Sequence, residues 1–423
     1  MSSDSTLLSL QAFSAWGGRE PPGGEYVSGV LKMATIAEDR LLTWRQEFPI
    51  LATTTHLCSH SMGAMPRGAS DWLRRYADEW NARGEIAWGT WGSYMLEHAR
   101  VVGALIDASW ETIVFHANVA TLASIILSAI YQPGGRSKII TTDLNFPSLT
   151  YNFSMHERLG LKVQLLRSPD GITIPIEAWR EAIDDETLAV VVDHGIFRSG
   201  FVQDAAAITA MAHAKGALSI VDAYQTTGCV PYSVRAWDAD VAFGWFIKWL
   251  CGGPGSAWMY VKPSLIETLE PRMVGWFSHT SPFNFELKMR FAHTAMRFAT
   301  GTPNILGLYA ARAGLDIILA IGVEAIRAKS LRMTQRIFDL ADERGFQVNT
   351  PREPDRRGGM VCVDFPGAEK AEGKLVGRGV LIDYRPRCGI RISPHFHTTE
   401  DEIERLFVEL DDIRRQGLSP ETR

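Results

Sequence analysis

The stretch ADVAFGWFIKWLCGGPGSAWMYV, residues 239–261, holds one lysine, Lys248, in a run otherwise uncharged apart from Asp240 near its edge. Aromatic residues and glycines crowd it. An ammonium group in such surroundings loses hydration, and the neutral amine that burial favours is a nucleophile. The first part, ADVAFGW, reads as an apolar strand that ends just before the lysine. Upstream, ALSIVDA (217–223) is a second such run, ending at Asp222. Farther out, ETIVFHA, SKIITTD, LKVQLLR and LAVVVDH have the same texture. Helical stretches lie between them, such as DAAAITAMAHAKG (204–216), whose final glycine stops the helix. Alternating strand and helix over roughly residues 95–300 predict an α/β fold: a mostly parallel central sheet flanked by helices.

The rest of the chain frames that unit. It has 423 residues, 46% hydrophobic and 22% charged, enough for two or three domains. The net charge of -5 and the lack of a basic block argue against nucleic acid or an anionic membrane as the main partner. No apolar run reaches the ~20 residues of a membrane span. Residues 1–32 are rich in Gly, Ser and Pro and read as a disordered tail, with a helix starting at Met33. After GTPN (301–304) a long helix follows, broken near Gly322; then come the strands GMVCVDF and GIRIS and the helix TEDEIERLFVELDDIRRQ. Thr399 and Glu402 have the spacing of a capping box. The expected divisions are a tail (1–32), a segment packing with the small domain (33–75), a large domain (76–305) and a small α+β C-terminal domain (306–423). Cys58, Cys229, Cys251, Cys362 and Cys388 lack paired spacing, which predicts reduced thiols, no zinc site and a cytoplasmic protein. No His/Glu spacing suggests a metal.

Ligands of a parallel α/β sheet bind beyond the carboxyl ends of its strands. Two strand ends here present Asp222 and Lys248 to one crevice. A carboxylate that keeps a pyridine nitrogen protonated, and a lysine that acts as an amine nucleophile, are what a pyridoxal phosphate enzyme needs. A strand-end aspartate followed by a lysine is also common in α/β proteins at large. Other segments add to the pair. FHANVATLAS (115–124) places small and hydroxyl residues where a strand gives way to a helix, a position that offers N–H groups to phosphate or serves as ordinary capping. Phe146, at the tip of DLNFPSLTYN (143–152), can lie on a planar cofactor or end a core. Thr302 sits in the loop RFATGTPN (297–304). His194 ends LAVVVDH beside Asp193, and a satisfied strand-end histidine is favoured over a catalytic base there.

Together these residues resemble the class V, fold-type I enzymes that use pyridoxal phosphate, and most closely the kynureninase branch. The likeness runs from about Thr55 to Leu410. HLCSHSMGAMPRGASDWLRRYADEWNARG (56–84) looks like the branch's opening segment, and NFPS like its ring-stacking loop. SIVDAYQTTGCVP with the Lys248 stretch is similar to its aspartate and lysine segment. GWFSH (275–279) resembles a loop that reaches the partner subunit, and GIRISPHFHTTEDEI (389–403) the segment whose arginine holds a substrate carboxylate. The resemblance implies that residues 76–305 bind the cofactor, with Lys248 holding it covalently and then moving protons at Cα. It implies cofactor contacts from Ala120, Thr121, Phe146, Ser148, Asp193, Asp222 and Gln225, and from Trp276 and Thr302 across a homodimer interface. Arg391 would fork onto the substrate carboxylate, with Ser61 nearby.

The chain departs from kynureninases at three places. Ile247 stands where they carry a tyrosine, Gln225 where they carry a histidine, and Thr302 where they carry an asparagine; the last two follow the wider class V pattern. The expected activity is cleavage at Cβ of an amino acid, by a kynureninase-like hydrolase or β-lyase. A class V aminotransferase or epimerase is the alternative. Cysteine desulfuration and a non-catalytic module of the same fold stand behind them.

Overall fold

The computed structural model describes residues 39–417; the expected tail and the helix start at Met33 lie outside them. The large sheet has seven strands: β1 (Ile113–His116), β2 (Lys138–Thr142), β3 (Lys162–Leu166), β4 (Thr187–Asp193), β5 (Leu218–Asp222), β6 (Val241–Trp245) and β7 (Ala257–Val261). Their spatial order is β1-β7-β6-β5-β4-β2-β3. All neighbours pair in parallel except β7, which runs antiparallel to β1 and β6. Strands covered on both faces read as unbroken apolar runs; Val190, Val191 and Val192 of β4 are fully buried.

Helices cover both faces. Those that matter here are α1 (Ala69–Arg83), α2 (Ala87–Ile106), α3 (Val119–Ile130), α4 (Pro147–Met155), α5 (Ala205–Ala214), α6 (Ile305–Ile321), α7 (Val323–Glu343) and α8 (Glu400–Gly417). Asp204 caps α5 by accepting from the Ala207 N–H. Gly322, at φ +85°, breaks α6 from α7 with a bend of 84°. Among the described residues no single helix is long and apolar enough to cross a membrane.

A second sheet of four strands, β8 (Gln347–Val348), β9 (Val361–Asp364), β10 (Asp383–Arg385) and β11 (Gly389–Ile392), is ordered β10-β11-β9-β8. It shares a core with α7 and α8, including Met333, Phe338, Val363, Ile390 and Phe407. The predicted capping box starts α8: the Thr399 hydroxyl accepts from the Glu402 N–H, and the Glu402 carboxylate accepts from the Thr399 N–H.

The boundary expected at 305/306 does not fall between the two cores. Ile305, Leu308, Leu315 and Ile318 of α6 pack with Tyr94, Val102, Phe246 and Trp258 on the large sheet's side. The sequence change at GTPN marks the start of a long helix, while the small core begins with α7. The 39–60 segment straps onto the C-terminal part. Arg45 donates to Glu402 and to the His397 carbonyl, and Thr55–His56 pair in parallel with Val380–Leu381.

Candidate active site

Strands β4 and β5 end side by side, with Asp193 and Asp222 in register. β6 ends at Trp245, and the chain turns so that Lys248 is buried at this same rim. Its Nζ lies 5.6 Å from the Phe146 ring centre and 5.5 Å from that of Tyr224. Burial is the largest influence on Lys248 and brings its pKa down to about 8, against the opposing pull of Asp222. A sizeable neutral fraction therefore exists near neutral pH.

Asp222 accepts from the Tyr224 N–H at 2.9 Å, and burial raises its pKa to about 6. Asp193 is pushed up further, by burial and then by Asp222 beside it. One oxygen of Asp193 accepts from the Phe146 N–H at 3.3 Å; the other is buried with no partner. Two carboxylates and one amine thus lie buried at one rim, and the carboxylates titrate as a pair.

Strand β1 leads into α3 at the same rim. Asn118 caps this helix, accepting from the N–H of Thr121 at 3.0 Å and from its hydroxyl at 3.2 Å. Both donors of Thr121 are therefore spent on the cap, so that an anion at this helix start would meet the first-turn N–H groups ahead of it, of which Val119 faces the Tyr224 hydroxyl. Phe146, just ahead of α4, is 39% exposed and meets Phe197 edge-on at 5.3 Å. Ser148 lies half-buried in the first turn of α4.

The small domain closes the other side. Arg391, on β11, was expected to leave its fork open for a substrate carboxylate. Instead Nε and Nη2 donate to the two oxygens of Asp383 on β10, and Nη1 donates to the Phe197 carbonyl. The β10–β11 register puts Asp383 directly opposite Arg391, so the pairing is built into the hairpin. His60 donates to the same carboxylate from Nε2 at 2.9 Å and meets the Ser393 hydroxyl at Nδ1. These partners hold Asp383 well below the usual carboxylate range, while burial, its largest influence, acts against them.

Near Ser61 the chain makes a close passage. The Gly63 N–H donates to the Ile247 carbonyl at 2.7 Å. A Cβ on Gly63 would lie 2.3 Å from the Lys248 carbonyl oxygen, so only glycine lets the 58–63 loop brace the lysine. Ser61 itself is half-buried, its N–H donating to the Cys58 carbonyl.

Other expected residues have different surroundings. Gln225 accepts from the Trp249 indole at 3.3 Å and donates to the His60 carbonyl at 3.1 Å, tying the lysine loop to the 58–63 loop. Trp276 stacks on Phe285 at 5.9 Å and packs with Trp88, Phe277 and Phe283. Thr302 is exposed in the loop before α6. His194 is a satisfied core residue: Nδ1 meets the Thr226 hydroxyl at 2.8 Å and the ring packs on Trp237. Cys58, His60 and Asp383 form a three-ligand group, but two guanidinium groups, of Arg391 and Arg385, already occupy Asp383. The sequence reading missed Asp383, His60 as its partner, and Tyr224. The only signal for the last was an aromatic residue two places after a strand-end aspartate.

Seven histidines, His56, His60, His98, His116, His194, His395 and His397, have pKa values lowered primarily by burial. His98, His194 and His395 fall to about 3. The unfolded chain takes up these protons as pH falls through about 6.5, while the folded chain refuses them. Their contribution is complete above that pH and is lost as pH drops towards the folded values. Asp222, with its raised pKa, acts in the opposite sense but is outnumbered. We expect the unfolding free energy read from urea denaturation to fall steeply from pH 7.5 to pH 5, by about 1.4 kcal/mol per pH unit for each histidine fully engaged. A flat profile over that range would contradict this.

The sequence profile of the class V aminotransferases matches residues 93–406. Uncharacterized aminotransferase YcbU of Bacillus subtilis (strain 168) is 31% identical over 370 residues, covering 87% of this chain and 96% of that protein. Kynureninase of Pseudomonas fluorescens is 29% identical over 375 residues, covering 84% and 87%. Among solved structures, the apo cysteine desulfurase of Thermococcus onnurineus NA1 superposes with a TM-score of 0.80 at 20% identity, covering 91% of this chain and 100% of that one. A mutant of the lyase C-DES, with glycine covalently linked to its pyridoxal phosphate cofactor, has a TM-score of 0.80 at 20% identity, covering 87% and 99%.

Proposed function

The chain belongs to the class V aminotransferase family, with pyridoxal phosphate as its cofactor, and from that premise we propose that it cleaves an amino acid substrate at Cβ, as a kynureninase-like hydrolase or β-lyase. The residues present fit the cofactor. A buried amine, a buried carboxylate pair with one oxygen unpartnered, and a helix N-terminus open to an anion stand at one rim. When bound, pyridoxal phosphate supplies an electron sink that weakens bonds at the substrate's Cα. Lys248 is the residue that holds it and, once released, moves a proton at Cα. Asp222 keeps a positive charge at the pyridine nitrogen favourable. Phe146, with Phe197 behind it, offers a ring face to a planar group.

The observation that carries the reading is Lys248: a buried lysine with a lowered pKa between two aromatic rings and facing Asp222. Support for Cβ cleavage comes from relatives named kynureninase that match most of the chain's length. Desulfuration has less support. Burial raises the Cys58 thiol to about 11 and the Cys229 and Cys251 thiols to about 12, and Cys362 and Cys388 are buried. Transamination is the second reading, favoured by the likeness to YcbU over nearly that protein's whole length.

The test is a panel of amino acids that includes L-kynurenine, with products identified by mass spectrometry. Alanine plus an acid supports hydrolysis at Cβ. A keto acid with stoichiometric amine transfer establishes the aminotransferase reading instead, and no turnover of any amino acid removes both.

The reading includes a homodimer with shared sites. Phe283 and Phe285, packed on Trp276, and Leu287 two positions on are at least half exposed, an apolar surface of the kind a second subunit covers. We expect a dimer by sedimentation. A monomer with full cofactor occupancy and activity would overturn it.

A further inference from the structure

The Tyr224 side chain is buried, and its hydroxyl has no hydrogen-bond partner. A buried phenol without a partner carries a desolvation cost that a native site tolerates when a ligand completes the bond. The residue is held at both ends. Its N–H donates to Asp222 at 2.9 Å, and its ring packs against Trp245 with centres 5.5 Å apart. The hydroxyl lies beside the Val119 N–H at the start of α3 without completing a bond to it. The Asn118 side chain takes the next donors of that turn, on Thr121. The Tyr224 hydroxyl, the Val119 N–H directed toward it and the Ala120 N–H are then gathered at the positive end of a 12-residue helix. The side chain of Ile247, the neighbour of Lys248, offers no donor.

We propose that the Tyr224 hydroxyl is a phosphate-binding group, donating to the cofactor's phosphate together with the first N–H groups of α3. The proposal rests on the pyridoxal phosphate reading and adds to it a residue that selects the phosphorylated cofactor over the free aldehyde. Tyr224 spans the site: its backbone fixes the carboxylate under the pyridine end, and its hydroxyl reaches the anion end. One rigid ring thus sets the distance between the two.

The experiment compares full-length wild type with Tyr224→Phe, which keeps the ring on Trp245 and removes only the hydroxyl. After the cofactor is removed by dialysis, each protein is titrated with pyridoxal 5'-phosphate and, separately, with pyridoxal, following protein fluorescence. A charge-assisted donor is worth about 10- to 100-fold in affinity. We expect Tyr224→Phe to lose that factor for pyridoxal 5'-phosphate and to match wild type for pyridoxal. Equal losses for both ligands would assign Tyr224 to packing and overturn the proposal, as would no loss for either. Wild type that binds neither ligand would instead remove the cofactor reading itself, so the two failures are distinguishable. Circular dichroism of both proteins separates a folding defect from a binding one.

Discussion

Lys248→Ala should abolish turnover by many orders of magnitude while leaving the protein folded. The reason lies in what the side chain touches. Among the described residues Lys248 takes part in no ion pair or hydrogen bond that holds two elements together; its Nζ faces the Phe146 and Tyr224 rings. Its backbone does the structural part, with the Lys248 carbonyl packed against Gly63 and accepting from the Cys251 N–H. Truncation also removes a buried cation whose hydration was lost on folding, so the stability cost is small. The variant should still take up pyridoxal phosphate through the α3 terminus and Asp222, but without the visible absorbance of covalently held cofactor. Stability is read by urea denaturation and cofactor uptake by absorbance. A variant that retains a tenth of wild-type activity would contradict the role given to this lysine.

We propose that a substrate carboxylate replaces Asp383 in the Arg391 fork; on that reading Arg391→Lys should weaken substrate binding by about 10- to 100-fold, the worth of a charge-assisted contact, with little change in cofactor affinity. An ammonium group cannot span both oxygens of Asp383 and also reach the Phe197 carbonyl, which the planar guanidinium now does. Arg391→Ala goes further and leaves a buried carboxylate without its bidentate partner. Loss of one partner from a buried pair costs about 3–5 kcal/mol. Arg385 and His60 remain on Asp383, so the lower end is expected here. The decisive comparison is KM against urea midpoint for the two variants. Lysine should change KM more than stability, and alanine should change both. Equal loss of cofactor and substrate affinity in Arg391→Lys would make Arg391 a purely structural residue.

Much of this fold was legible because its central strands are covered on both faces. Such strands must be apolar throughout, and runs like LAVVVDH and ALSIVDA stand out against any surface strand. Asp222 and Lys248 were legible for the converse reason, as charged residues directly after apolar runs. The α8 cap was a local pattern and was found where Thr399 and Glu402 placed it. Contacts between distant segments were not legible. His60 and Asp383 meet across 323 positions, and nothing local to either marks the other. Asp383 itself follows the short apolar stretch VLI and resembles any hairpin residue. The placement of α6 failed similarly: its apolar stripe announces a buried helix, but periodicity does not say which core buries it. Thr121 shows a third kind of limit. The sequence showed small and hydroxyl residues at a helix start, yet not that Asn118 would take both donors of that threonine.

The central claim is that Lys248 carries the cofactor, and borohydride reduction followed by peptide mapping tests it most directly. Reduction fixes any covalent link between pyridoxal phosphate and an amine, and digestion locates the label. The neighbouring lysines are sharply different controls. Lys215, exposed, lies within 3.4 Å of Asp185, and Lys262, half-buried, within 2.6 Å of Asp238. Burial, by contrast, favours the neutral form at Lys248. The account predicts a single pyridoxyl label on the peptide containing Lys248. A label on the Lys215 or Lys262 peptide, or none at all, would contradict it.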